Sequence, residues 1–347
     1  MRTTTLAFYG LIPYLLLQPA STQPASQQQD DSTHLRMNVV LVQLSIAVTD
    51  NKGNYVTGLH PEDFEVTEDR ISQKISSFEE GSGSDSTSND LARADQRPQT
   101  NAPPADIQQV DSHPPTDAAA DLVPHGTEAS VFVLFDTSNY MYRSFVFAQD
   151  AITDFIRSMN NASRIAFYSY CRDLSRATRL TSDHFGIVNA VRSTVAGDDA
   201  ALYNSLLLTV KDAAPLKGRK AIVVFSNGPD NASSVPPEDV AELAQSTGTI
   251  IYIISTRQAE DDPASAAAFE RMSKVSGGKA YFAKNWLDEK KAFASIREDL
   301  VHLYTLSYYP QSNPNRGWRS IKVRLVGKDL QKYHVRTRDG YRLAAQR

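Results

Sequence analysis

The sequence predicts an α/β protein with a doubly wound, mostly parallel sheet and an accessory β-sandwich built from strands at the two ends of the chain. Three observations carry this. Between residues 127 and 302 the apolar runs SVFVLFD, RIAFYSY, KAIVVFS and TIIYIIS alternate with helical stretches. Unbroken apolar runs suit parallel strands covered on both faces. Residues 37–80 and 303–345 instead alternate apolar and polar side chains, the period-two pattern of strands with one wet face. Short stranded units are marginal alone, so the two ends are expected to close on each other.

Taken in order, Met1 to Leu17 begins with Arg2 and continues LAFYGLIPYLLL before the polar stretch QPASTQPASQQQDD. An apolar run of this length matches a signal h-region and falls short of a membrane span, so residues 1–22 read as a signal peptide. A disordered N-terminus with an incidental apolar run is the alternative. No other segment is apolar and long enough to cross a bilayer, and the expected address is secreted or periplasmic.

In residues 37–80, Leu44, Ile46 and Val48 alternate with polar or small neighbours, DNKGN supplies a turn, and Phe64 and Val66 share a face of FEVTED. Residues 81–126 carry six prolines, no aromatic residue, and seven aspartates against Arg93 and Arg97. Such a segment cannot bury enough apolar area to offset its ordering entropy, and it reads as a disordered acidic linker.

Beyond it, SFVFAQDAITDFIRSM places Phe145, Phe147, Ile152, Phe155 and Ile156 as the apolar residues of a helix. Further helices are expected over about 182–194, 199–213, 236–247 and 264–276. In the tail, Arg316 to Arg347 holds ten Lys/Arg and two Asp, and in SIKVRLV the basic Lys322 and Arg324 alternate with Ile321, Val323 and Leu325. That face is either a docking surface for an acidic partner, an anionic glycan or the linker, or a solvated edge guarded against sheet-to-sheet pairing.

Composition excludes several classes. The 347 residues contain one cysteine, Cys171, so there is neither an intramolecular disulfide nor a thiolate metal cluster. Cys171 reads as a small buried hydrophobe at a strand end, or else as the thiol of an intermolecular disulfide. A net charge of −4 argues against a protein devoted to nucleic acid.

Ligands of open α/β sheets sit at the carboxyl ends of the strands. The first such loop reads DTSNYM, Asp136 to Met141. An apolar strand ending in D-x-S, a long helix, a strand starting RIAF, an ALYNSL helix start and a strand followed by S-N-G together resemble the von Willebrand factor type A (VWA) fold. The flanks VTDNKGNYVTGLHPEDFEVTEDRISQKISSFE, LYTLSYYP, RSIKVRLV and VRTRDGYRL are similar to the variety called the VWFA-related Acidobacterial domain family.

The resemblance implies a metal-ion-dependent adhesion site, in which D-x-S-x-S, a threonine and an aspartate from three loops hold a divalent cation. Mg²⁺ asks for six oxygens in near-octahedral geometry. Asp136 and Ser138 match. The second serine falls on Tyr140, the threonine on Ala200, and the third loop's aspartate on Asn227, followed by Gly228. Asp198, Asp199 and Asp230 stand near as substitute carboxylates. Otherwise Asp136 caps the strand-to-helix turn and Ser138 the helix start. The site is expected to be degenerate and metal-independent, with no cofactor favoured and Mg²⁺ the alternative, and Asn139, Tyr140 and Gly228 are expected to form the partner-binding loop.

Enzyme signatures are weak. A D-x-D nucleophile motif fails at Ser138, no G-x-S-x-G occurs, Leu59 stands where the P-loop spacing of Gly53 and Gly58 needs lysine, and the seven histidines are scattered. The expectation is an exported interaction or adhesion module that binds a protein or envelope polymer without catalysis. An envelope hydrolase or transferase using Asp136 is the alternative.

Overall fold

The computed structural model describes residues 41–81, 129–159, 163–256 and 261–343. The expected signal peptide (1–22) and, apart from Gly81, the linker (81–126) lie outside the described residues.

The central sheet has the order β10-β9-β8-β5-β6-β7. Its strands are β5 (Ala129–Asp136), β6 (Arg164–Tyr170), β7 (Leu174–Ser175), β8 (Arg219–Ser226), β9 (Ile250–Ser255) and β10 (Ala280–Phe282). All pairings are parallel except β6 with the short β7. Strand alternation sends Val131, Val133 and Phe135 to one face and Phe132 and Leu134 to the other. The first face is covered by α1 (Phe145–Ser158), α2 (His184–Arg192) and α6 (Trp286–His302). The second is covered by α3 (Leu202–Ala213), α4 (Pro237–Thr247) and α5 (Pro263–Ser276). The chain leaves β5 for β6 on one side and returns to β8 on the other, so the topological switch point lies at the carboxyl end of β5.

The terminal strands form two further sheets. β13 (His334–Arg336), β1 (Val42–Thr49), β11 (Tyr304–Tyr308) and β4 (Ile75–Glu80) make one. β14 (Gly340–Arg342), β12 (Trp318–Leu325), β2 (Phe64–Glu68) and β3 (Ile71–Gln73) make the other. Each sheet mixes strands from both ends: Val42 pairs with Tyr308 and Val66 with Val323. Between them Leu44, Ile46, Phe64, Val66, Tyr304, Leu306 and Ile321 share one core, which is the accessory sandwich.

The sandwich lies at the amino ends of the parallel strands, opposite the switch point. The polypeptide after β12 runs past the carboxyl ends of α4 and α5: Arg338 donates to the Gln245 carbonyl and Arg336 to that of Gly277. Gly277 closes α5 at φ +88°, where a Cβ would meet the Arg338 amide at 3.1 Å, so both conformation and space favour glycine there.

Buried carboxylates pin this seam. Asp299 on α6 accepts hydrogen bonds from Tyr55 (2.8 Å), Tyr252 (2.7 Å) and Arg336 (2.5 Å), joining the turn after β1, strand β9 and strand β13. Inside the sandwich Glu68 accepts from Arg319 (2.7 Å), Tyr308 (2.9 Å) and Tyr341 (2.9 Å).

Three expectations are corrected. Helix α6 has no counterpart in the sequence reading. Phe147 does not join the α1 core stripe but is 61% exposed, because the inward positions are Ala148, Ala151, Ile152, Phe155 and Ile156. The basic strand is no guarded edge: β12 sits between β14 and β2, with Lys322 and Arg324 exposed and Arg324 paired with Glu65 at 2.7 Å.

Candidate functional site at the carboxyl ends of the strands

Asp136 is the last residue of β5 and lies opposite Tyr170, the last of β6. It is fully buried. Its Oδ1 accepts the Ser138 N–H at 2.9 Å and its Oδ2 accepts the Ser226 hydroxyl at 2.8 Å. Ser226 Oγ in turn accepts from the Tyr170 hydroxyl (3.1 Å) and from the Gly228 N–H (3.2 Å). A relay therefore runs from Tyr170 through Ser226 to Asp136, crossing the three central strand ends. Gly228 holds φ +115°, a conformation that fits glycine and lets the third loop turn its amide back onto Ser226. Burial pushes the Asp136 carboxyl above its ordinary value, against the pull of the hydrogen bonds from Ser138 and Ser226.

The surrounding loops are stitched by backbone. The Gly197 N–H donates to the Thr137 carbonyl (2.7 Å), the Asn139 N–H to that of Asp198 (2.9 Å), and the Ala201 N–H to that of Cys171 (2.8 Å). Cys171 packs against Gly197, where a Cβ would come within 2.6 Å of its own, and its thiol is partly exposed. Ala200 donates its N–H to Asn231 Oδ1 at 2.8 Å, and its carbonyl takes the Asn231 and Ala232 amides.

The predicted residues fare unequally. Ser138 does not cap a helix: its Oγ is buried and meets no hydrogen-bond partner. Asn227 is a latch, its carboxamide donating to the Tyr140 carbonyl and accepting from Thr256 (2.9 Å). Asp230 caps α3, accepting the Tyr203 amide (2.9 Å) and its own loop's Ser233 amide (2.9 Å). Asp199 faces Asn231 at 3.4 Å and Arg172 at 3.7 Å, and Asp198 is exposed. Asn139 and Tyr140 are exposed, whereas Gly228 is buried and shapes the loop instead of offering contact surface. The sequence reading missed Ser226, Tyr170 and Asn231. A serine closing an otherwise apolar buried strand was the available signal for the first.

These donors do not fit a six-coordinate hard cation. Both Asp136 oxygens already hold protein donors, Asn227 Oδ1 holds Thr256, and position 200 offers a methyl group. Ser138 Oγ is a single remaining hydroxyl, and Mg²⁺ gives up water reluctantly. Among the described residues no three His, Cys, Asp or Glu side chains gather where a metal could sit.

A parallel sheet wound on both sides, with loops knitted around a buried strand-end aspartate at the switch point, defines a doubly wound α/β domain. Residues 130–295 match the family model of the von Willebrand factor type A domain, and this part of the chain is a VWA domain. Among solved structures it is similar to the conserved hypothetical protein BatB from Bacteroides thetaiotaomicron, at 15% identity over 50% of this chain and 97% of that one, with TM-score 0.43. It is also similar to the vWF domain of the type V pili tip protein Mfa5 from Porphyromonas gingivalis (13% identity, 49% and 94%, TM-score 0.41). A von Willebrand factor type A protein from Catenulispora acidiphila matches at 11% identity over 58% and 63%, with TM-score 0.42. No curated protein matches by sequence.

Proposed function

We propose that this protein is an exported interaction module whose VWA domain engages a protein or envelope polymer through the loops at the carboxyl ends of its strands, without catalysis and without a bound cation. The observation that carries this is the enclosed Asp136: it is fully buried and each of its oxygens accepts a hydrogen bond, from Ser138 and Ser226, which supports a structural role over that of a nucleophile or metal ligand. The degenerate adhesion motif supports the same reading, since Tyr140, Ala200 and Asn227 replace the expected oxygen donors. The apolar N-terminal segment supports export. No helix among the described residues is long and apolar enough to cross a membrane. The flanking strands, folded as one sandwich, support membership of the whole chain in the VWFA-related Acidobacterial variety.

Isothermal titration with Mg²⁺ and Mn²⁺ tests the cation. No saturable heat is expected, and submillimolar binding lost on Asp136→Ala would overturn the metal-free site. Capture of partners from envelope extract is expected to be the same with and without chelator. Turnover of a substrate abolished by Asp136→Ala, with partner capture intact, would favour the hydrolase or transferase reading instead.

A further inference from the structure

We propose that the rim beside Asp136 docks a protein segment that presents an apolar side chain next to a carboxylate, the apolar group on Tyr142, Val146 and Phe147 and the carboxylate on Arg143. This rests on the reading that the strand-end loops are the binding face.

The observation behind it is exposure where burial is expected. Tyr142 is 76% exposed, Val146 62% and Phe147 61%. The backbone at Tyr142 is already helical, and α1 begins at Phe145. Ser144 (φ −105°, ψ 1°) breaks the turn between them, and Tyr142, Arg143, Val146 and Phe147 stand exposed within six residues at the amino end of α1. None serves the core, because α1 packs through Ala148, Ile152, Phe155 and Ile156. Scattered apolar residues on a surface need no explanation, but a contiguous group at the edge of a loop cluster marks a contact site. Tyrosine, phenylalanine and arginine are also side chains that interfaces favour.

Charge selects the partner. Lower on α1, Asp150 pairs with Arg192 at 2.6 Å and Asp154 with Lys290 at 2.9 Å. Arg143, exposed, has no acidic partner among the described residues. Helix α1 opens with no acidic residue in its first turn, so its amino end adds potential of the same sign. Across the stitched loops Asp198 is exposed and repels a second carboxylate, which steers the partner's acid toward Arg143. The acids on this face also weigh against an anionic lipid surface.

The test uses the full chain against a displayed library of short random peptides, selected once with Mg²⁺ and once with EDTA. Selected peptides are expected to place Asp or Glu beside a large apolar residue and to bind equally in both buffers. Arg143→Glu and Phe147→Ser are each expected to weaken the best peptide by about tenfold or more, with melting temperatures unchanged. Exchanging the peptide's acid for lysine is expected to restore binding to Arg143→Glu. Peptides that bind but ignore both substitutions would overturn this docking site while leaving an interaction module elsewhere on the loops. Binding lost in EDTA would overturn the cation-free reading as well. Failure to enrich any peptide overturns the proposal, and so does attachment to phosphatidylglycerol vesicles or self-association that the same substitutions abolish.

Discussion

Two buried carboxylates, Asp299 at the seam and Asp136 at the loop face, are equally hidden from water and differently compensated. Asp299 meets a guanidinium and two phenols, whereas Asp136 meets only a hydroxyl and an amide. A buried charge with a charged partner ties elements rigidly and is costly to break. One held by neutral donors is satisfied in hydrogen bonds but not in charge, which is why burial raises its carboxyl. The difference assigns the seam to architecture and leaves the loop face as the place where a buried carboxyl lacks a charged partner.

The largest expected effect comes from breaking the seam. Asp299→Ala strands Arg336, the buried Tyr252 phenol and the half-buried Tyr55 phenol, and urea unfolding should show a loss of about 3–5 kcal/mol. An intermediate effect is expected at Ser226→Ala, which removes the donor to Asp136 and the acceptor for Tyr170 and Gly228. A loss of about 1–3 kcal/mol would fit, and no measurable change would break the relay. The smallest effect sharpens the contrast in pH. The folded carboxyl of Asp136 lies above the ordinary 3.8, so the folded state holds its proton longer than the unfolded one. Its contribution to stability therefore falls as pH rises from about that value through the raised one. Asp136→Asn should flatten this part of the stability profile, measured by denaturation between pH 4 and pH 7. An unchanged slope would show that Asp136 is not its source.

Much of this was legible because it rests on local patterns. The unbroken apolar runs gave the parallel strands, and D-T-S at the end of the first placed Asp136 in a loop at a strand's carboxyl end. Helix α6 escaped because its inward stripe includes Glu289 and Asp299 beside Ala292, Phe293 and Ile296, so acid residues masked the periodicity. Its start lies in the Asn285 cap, whose side chain accepts the Leu287 and Asp288 amides. Phe147 misled in the opposite sense, being apolar without being core. The relay from Tyr170 through Ser226 to Asp136 depends on strand register, and the Asp299–Arg336 pair joins different elements. Neither leaves a mark at short sequence range.

The interleaved sandwich also has a consequence for the order of assembly. Strand β1 finds its partners in β11 and β13, and β2, beyond its near neighbour β3, finds one in β12, all after the whole VWA domain has emerged from the ribosome. The α/β domain, whose contacts are nearer in sequence, is expected to fold first and bring the late strands to the early ones, lowering the entropic cost of closing so long a loop. Until then the first strands wait with open edges, which is the interval in which a nascent chain of this kind is most exposed to aggregation.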